Sequence, residues 1–287
     1  MENIITANQT LARVNALANG NEQSLKQTSI TKVGVDLGTS SIVLVVVDED
    51  DQPLFAAFEN ANVVRDGLVV NYIEALQKTT KLKKLAESTL GIPLTCASGA
   101  IPPGTIGNNK KVVGNIIEGS GMELVSIVDE PTAAATVLNI QEGAVIDIGG
   151  GTTGISIFKD GEVVFSADEA TGGTQMTLVL SGYLGVPTEE GEQIKRDKSK
   201  QEETFPILIP VVEKMASIVT SFLTAYGKPV QHIYLVGGAT DFPQFASTFS
   251  KILGRPVIQP DFPQFVTPLG IAMISKQEEL GAERRCI

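Results

Sequence analysis

Val33-Gly-Val-Asp36-Leu-Gly38-Thr39-Ser40-Ser41 runs into the apolar stretch Ile42 to Val47, and the same design returns at Ala144-Val-Ile-Asp147-Ile-Gly149-Gly150-Gly151-Thr152-Thr153. Each copy reads as a β-branched strand, a tight loop rich in Gly, Ser and Thr, and a second strand, with an aspartate at the loop's mouth. Such a loop cradles an anion. Glycine lets backbone approach a phosphate closely, and successive N–H groups with Ser/Thr hydroxyls donate to its oxygens. One aspartate from each copy suits a hydrated magnesium ion, which keeps several waters and takes one or two carboxylates beside substrate phosphates. The repeat extends past the loops. Ile42 to Val47 leads through Asp48-Glu49-Asp50-Asp51 to Leu54–Phe58, and Ile155 to Phe158 leads through Asp160-Gly161 to Val163–Phe165. An Asp-Gly pair between apolar runs signals a hairpin. Two three-strand meanders are expected, each with its first turn facing phosphate. Two unrelated glycine hairpins would not need aspartates at matched positions.

The chain has 287 residues, 43% of them apolar, which is room for one large or two ordinary domains with real cores. A net charge of -11 argues against a phosphate-backbone partner such as DNA or RNA and against an anionic membrane surface. The N-terminus lacks a charged region followed by an apolar one, and the longest uninterrupted apolar stretch, Ile42 to Val47, is far short of a membrane span, so a soluble cytoplasmic protein is expected. Cys96 and Cys286 are too few for a disulfide framework or a thiolate zinc site. His232, the single histidine, excludes multi-histidine metal sites. It opens the apolar run Ile233 to Val236, where a strand-edge residue fits better than a catalytic base.

Residues 1 to 29 are rich in Asn, Gln and Ser, with a narrow helical stripe of Ile4, Ala7, Leu11, Val14 and Ala18 ahead of the polar linker Asn19 to Ser29. The stripe reads as a tail or docked helix, dispensable for folding, or as a detachable helix that addresses a partner. Further on, a hairpin is expected at Val63 to Val70, helices near Tyr72 to Leu90 and Asn109 to Gly119, and strands at Leu94 to Ile101 and Leu124 to Val128. Asp129-Glu130-Pro131-Thr132 starts a helix, with proline in its first turn. The second half has a helix from Gly172-Gly173-Thr174 to Leu180, a charged segment from Val186 to Glu203, and a long helix from Pro210 to Tyr226. A strand from Ile233 to Val236 and a last helix from Pro268 to Leu280 follow.

The ordered set Asp36-Leu-Gly-Thr, Asp129-Glu-Pro-Thr-Ala-Ala-Ala, Asp147-Ile-Gly-Gly-Gly-Thr-Thr and Leu235-Val-Gly-Gly-Ala-Thr-Asp-Phe-Pro243 resembles the ATPase superfamily of actin, heat-shock chaperones and hexokinase. Within it, Val63-Val-Arg-Asp-Gly, Pro102-Pro-Gly-Thr and Ser166-Ala-Asp-Glu-Ala-Thr-Gly-Gly173 closely resemble the EutJ family of ethanolamine-utilisation proteins. The resemblance implies an α/β chain with the actin-like ATPase fold. It would comprise two duplicated ribonuclease-H-like domains, residues 30–141 and 142–287, with minimal insertion subdomains and a final helix able to pack back on the first domain. It makes Gly38, Thr39 and Ser40 the first phosphate loop, and Gly149, Gly150, Gly151 and Thr152 the second, with Gly172 and Gly173 beside it. Asp36 and Asp147 become magnesium ligands through water, and Glu130 helps position an attacking water. Gly237, Gly238 and Ala239 pass under adenosine, which Glu192, Lys195 and Ser199 clamp from the charged segment.

Departures from the chaperone pattern bear on turnover. The position seven after Asp147 is Gly154 where chaperones carry a second aspartate, the first-half lysine near the γ-phosphate has no match, and Asp241 replaces the arginine that lies against adenine. Loss of a cationic stabiliser costs orders of magnitude in phosphoryl transfer. The implied role is an ATP-binding, chaperone-like assembly or reactivation factor for ethanolamine utilisation, a slow ATPase with MgATP or MgADP. Its implied partners are ethanolamine ammonia-lyase or microcompartment components. A non-hydrolysing nucleotide-binding scaffold of the microcompartment is the alternative, and a small-molecule kinase is a third.

Overall fold

In the computed structural model, residues 2–21, 31–65, 67–104 and 107–275 are described. β1 (Lys32–Leu37), β2 (Ser41–Val47) and β3 (Pro53–Asn60) form the first antiparallel meander. β2 is buried along its whole apolar run, on both faces, so its sequence is continuous rather than alternating. β4 (Val64–Arg65) and β5 (Leu68–Val69) make a small separate hairpin. β6 (Cys96–Ile101) and β7 (Glu123–Asp129) then extend the sheet in parallel beyond β1, giving the order β3-β2-β1-β6-β7.

The second sheet repeats the plan. β8 (Gly143–Ile148), β9 (Thr153–Lys159) and β10 (Glu162–Glu169) form a meander, and β11 (Ile233–Val236) joins β8 in parallel, for the order β10-β9-β8-β11. A lone parallel bridge between Tyr234 and Ile258 stands where the first sheet has its fifth strand. The β9–β10 turn places Asp160 and Gly161 at φ 53° and 79°, the two left-handed residues that a tight hairpin needs. Register matches between the halves: Asp36 lies opposite Val43, and Asp147 opposite Gly154.

Nine helices are present among the described residues: α1 (Glu2–Ala18), α2 (Tyr72–Leu90), α3 (Asn108–Gly119), α4 (Glu130–Leu138), α5 (Gly173–Leu184), α6 (Thr188–Arg196), α7 (Gln201–Tyr226), α8 (Phe245–Leu253) and α9 (Val266–Ile274). α4 starts on an Asp129 cap, whose Oδ1 accepts the Thr132 N–H at 3.1 Å, with Pro131 in the first turn. α9 lies on the first sheet so closely that a Cβ on Gly34 would stand 2.4 Å from the Ala272 nitrogen. It also crosses α4, where a Cβ on Gly270 would come within 1.9 Å of the Ala133 carbonyl oxygen. Only glycine permits these two approaches, and the α4–α9 crossing joins the halves.

Two boundaries differ from the sequence reading. α5 continues to Leu184, and α7 starts at Gln201, ahead of the expected Pro210; much of the charged segment is helical, as α6 and the first turns of α7. α7 runs through both Pro206 and Pro210 because Phe205, Leu208, Val211, Val212, Met215, Ala216 and Val219 hold one face in the second core. Their burial outweighs the backbone hydrogen bonds that proline forfeits. By length and apolar content the stretch Lys198–Tyr226 could also cross a membrane, a property shared by core helices. Residues 22–29 of the expected linker, Asp66, Thr105 and the expected helical residues 276–280 lie outside the described residues.

The N-terminal stripe is docked. Ala7, Leu11 and Val14 are buried in a cluster with Val43, Val45 and Ala56 of the first sheet and Val145, Phe158 and Val266 of the second half. Asn8 adds a reciprocal pair with Asp261, donating from Nδ2 to Oδ2 at 2.9 Å and accepting the Asp261 N–H at 3.0 Å. α1 therefore straps both halves, and removing it uncovers apolar surface that a dispensable tail would not touch.

Candidate nucleotide-binding cleft

The two glycine loops close with the same hydrogen bond. Gly38 N–H donates to the Ser41 carbonyl at 3.0 Å, and Gly149 N–H to the Thr152 carbonyl at 3.1 Å, each two and five residues past its aspartate. They face each other closely: a Cβ on Gly150 would stand 2.5 Å from Ser40 Oγ. Above them opens a cleft of about 580 Å³, lined from both halves. The N-terminus of α5 braces the second loop, with Gly173 N–H donating to Gly149 O at 2.9 Å and Thr174 N–H to Gly150 O at 2.7 Å.

Asp36, Gly38, Thr39, Ser40, Glu130, Asp147, Gly149, Gly150, Gly151, Thr152, Gly173, Glu192, Lys195, Gly237, Gly238 and Ala239 all line this cleft. Two sequence-predicted residues do not. Gly172 lies beneath the second loop, where a Cβ would meet the Gly149 and Gly150 carbonyls and the Thr152 nitrogen at 2.6 to 2.9 Å, and its N–H goes to Gln175 Oε1. Ser199 sits instead in the turn that Asp197 caps, its hydroxyl donating to Asp197 Oδ1 at 2.6 Å.

Carboxylates dominate the cleft electrostatically. Asp36 is the next-to-last residue of β1, and burial, with the charge of Asp147 adding, holds it up at about 7. Burial also raises Asp147, while the Thr267 hydroxyl, donating to Oδ2 at 2.6 Å, pulls the other way. Glu130, first residue of α4, is pushed well above the usual carboxylate range by burial and then by Asp147, Asp36, Asp168 and Asp129. Gly237 crosses directly over this group at φ 94°, where a Cβ would lie 2.3 Å from Asp147 Oδ1. An all-oxygen set of this kind suits a hard divalent cation. Among the described residues no three His, Cys, Asp or Glu side chains are grouped to hold a bare ion, so the arrangement fits one that keeps its water shell.

α6 supplies the positive side. Lys195 is buried, donating to the Gly173 carbonyl at 2.9 Å and Thr177 Oγ1 at 2.8 Å and pairing with Glu192 at 2.7 Å. Burial lowers Lys195, and Glu192 counters that shift. Arg196 reaches the other half, donating to Asn60 Oδ1 at 2.8 Å and to the Ser40 carbonyl at 3.1 Å while its Nε holds Glu192. Asp241 pairs with Lys198. Thr267, Asn60 and Asp168 were given no role by the sequence, and Arg196 stood only within the spacing Glu192-x-x-Lys195-Arg196-x-x-Ser199 that resembles the chaperone clamp helix, with no contact assigned to it. The adjacency of Arg196 to Lys195 was the one available signal, since the partners of the others come from distant segments.

The type IV pilus assembly protein PilM family matches residues 135–267, and the MreB/Mbl protein family residues 57–195. The ethanolamine utilization protein EutJ of Salmonella typhimurium is 41% identical over 84% of this chain and 84% of its own length. The crystal structure of the EutJ of Carboxydothermus hydrogenoformans superposes with a TM-score of 0.90 at 45% identity, covering 94% of this chain and 99% of that one. MreB5 of Spiroplasma citri bound to AMPPNP shares the fold at a TM-score of 0.67 and 17% identity, over 85% of this chain and 95% of that one. With its duplicated sheets about one cleft, the chain belongs to the EutJ family of ethanolamine utilization proteins and has the actin-like ATPase fold.

Proposed function

We propose that this protein is a nucleotide-gated assembly or reactivation factor for the ethanolamine-degrading machinery, working in the cytoplasm beside the microcompartment and binding MgATP and MgADP between its halves. The observation that carries the reading is the pair of opposed loops, closed by the same hydrogen bond, each with an aspartate at its mouth. The N–H groups and hydroxyls of the loops would take the phosphates, and Asp36 and Asp147 the hydrated ion. Magnesium, when bound, neutralises phosphate charge and offsets the repulsion among the buried carboxylates. Lys195 and Glu192 would bound the nucleoside side, with Gly237, Gly238 and Ala239 beneath it. Glu130, pushed upward by burial and its acidic neighbours in the ligand-free state, would accept or orient a water once a cation offsets that push.

Turnover would be slow. Among the described residues, the cationic side chains lining the cleft are Lys195, Arg196 and Lys198, all from the α6 region. Lys195 is already saturated, so a strong charge stabiliser for phosphoryl transfer would have to come from a partner. This observation also favours the second reading, a non-hydrolysing nucleotide-binding scaffold of the microcompartment. A ligand that touches both loops binds the closed form better than the open one, and this difference would drive the gating. The α4–α9 crossing is the natural pivot.

Thermal unfolding with millimolar MgATP or MgADP tests binding; a ligand at about a hundredfold its dissociation constant adds roughly 2.7 kcal/mol of stability. No shift with either nucleotide would sink the reading. Steady-state ATPase assays with and without ethanolamine ammonia-lyase then separate the readings: stimulation supports the gated factor, and none supports the scaffold.

A further inference from the structure

We propose that Asp168 is a third carboxylate of the cation site, carried in from β10 over the place that Gly154 leaves open. The inference rests on the MgATP reading above. Asp147 on β8 lies opposite Gly154 on β9, and Gly154 lies opposite Asp168 on β10. Directly opposed residues of antiparallel strands share a face, so the three form one row across the sheet. The middle position has no side chain, and the outer carboxylate leans into it. A Cβ built on Gly154 would stand 3.2 Å from Asp168 Oδ1, with Pro103 of the first half closing the other side at 3.2 Å.

That oxygen is sealed from solvent yet accepts no hydrogen bond. Asp168 takes a side-chain hydrogen bond from Thr152 of the second loop, which leaves Oδ1 without a donor. Its charge is felt by Glu130, and it feels Asp147 in turn. An unpaired buried acceptor facing other carboxylates lacks a donor of opposite charge, which the water shell of a divalent cation would provide. The corresponding row in the first half is Asp36, Val43 and Phe58, with neither the gap nor the second acid. The carboxylate missing from position 154 is thus replaced from the neighbouring strand, and Gly154 is required for it to fit.

The test measures how much Mg²⁺ is needed for a fluorescent ADP analogue to bind, alongside binding of the same analogue without metal and a circular-dichroism melt of each variant. Asp168→Asn, nearly isosteric, should raise the half-saturating Mg²⁺ about tenfold, the lower range for loss of an outer-shell ligand partner. Metal-free binding should stay within about twofold, since the amide oxygen of Asn can still accept from Thr152 of the second loop. Gly154→Ala keeps the acid but displaces it and should raise the requirement by a smaller factor. Glu169→Gln, on the exposed neighbour, should leave it unchanged. A folded Asp168→Asn variant with the wild-type Mg²⁺ requirement overturns the assignment, as does an equal shift from Glu169→Gln. Wild-type protein that binds no nucleotide with Mg²⁺ overturns the binding reading itself, before any variant is made.

Discussion

The two loop meanders share an aspartate, a closing hydrogen bond and a register, and differ in what stands behind them. The second loop is nailed from below by α5, whose first N–H groups donate into the Gly149 and Gly150 carbonyls. The first loop is held differently: its Ser40 carbonyl takes the Ala61 N–H and the Arg196 guanidinium, which comes from the other half. Beyond the loops, the row through Asp36 continues as Val43 and Phe58, and Val43 joins the cluster that buries α1. The row through Asp147 continues as Gly154 and Asp168 and keeps a second acid near Asp147. Duplication preserved the cradle, while one copy became a wall for an apolar strap and the other a charged, rigid face.

The largest expected effect comes from the acids. Asp36 stands at about 7 in the folded chain against 3.8 for an unperturbed aspartate, so between those values the native state binds a proton that the unfolded chain has lost. Nucleotide-free stability should therefore fall as pH rises from about 4 to 7, by at most about 4 kcal/mol from this group. In Asp36→Asn that part of the slope should vanish; unfolding midpoints against pH check it, and an unchanged slope would remove Asp36 from the repulsive group. Next is the brace. Gly172→Ala places a Cβ against three backbone atoms and should cost about 3 kcal/mol, whereas Gly38→Ala meets only the Ser41 carbonyl at 2.9 Å and should cost about 1 kcal/mol. Equal costs in urea titration would erase the contrast between the loops.

Deleting residues 2–18 should destabilise by roughly 2 kcal/mol, the burial of Leu11 and Val14 less the entropy of ordering the helix. A truncated protein with an unchanged melting temperature would return α1 to the status of a loose tail. The smallest effect is expected from Arg196→Ala, under about 1 kcal/mol because its side chain is 39% exposed, but with faster amide exchange confined to the first loop. Exchange accelerated equally in both loops would contradict the division of roles.

Much of this contrast could be read from the sequence, and its limits are physical. Asp36 and Asp147 with their glycines declare a strand-loop-strand unit locally, so both sheets were legible, and sixteen of the eighteen residues expected at the site line one cleft. Gly172 was misplaced because its proximity to the loop is real but lies underneath, and Ser199 because a serine two residues past Asp197 satisfies itself locally. Asp168 and Arg196 act through a cross-strand register and a contact between residues 196 and 40, neither encoded at short range. Even the gap at Gly154 was visible; what fills it was not.

The claim that both loops hold one nucleotide is tested most directly by calorimetric titration of MgADP into wild-type protein, Asp36→Asn and Asp147→Asn. One nucleotide per chain is expected, weakened about tenfold or more by either substitution, since each half supplies one carboxylate to the same hydrated ion. Binding indifferent to one of the two aspartates would place the nucleotide on a single half, and absence of binding heat together with an unshifted melting temperature would empty the cleft of the role given to it.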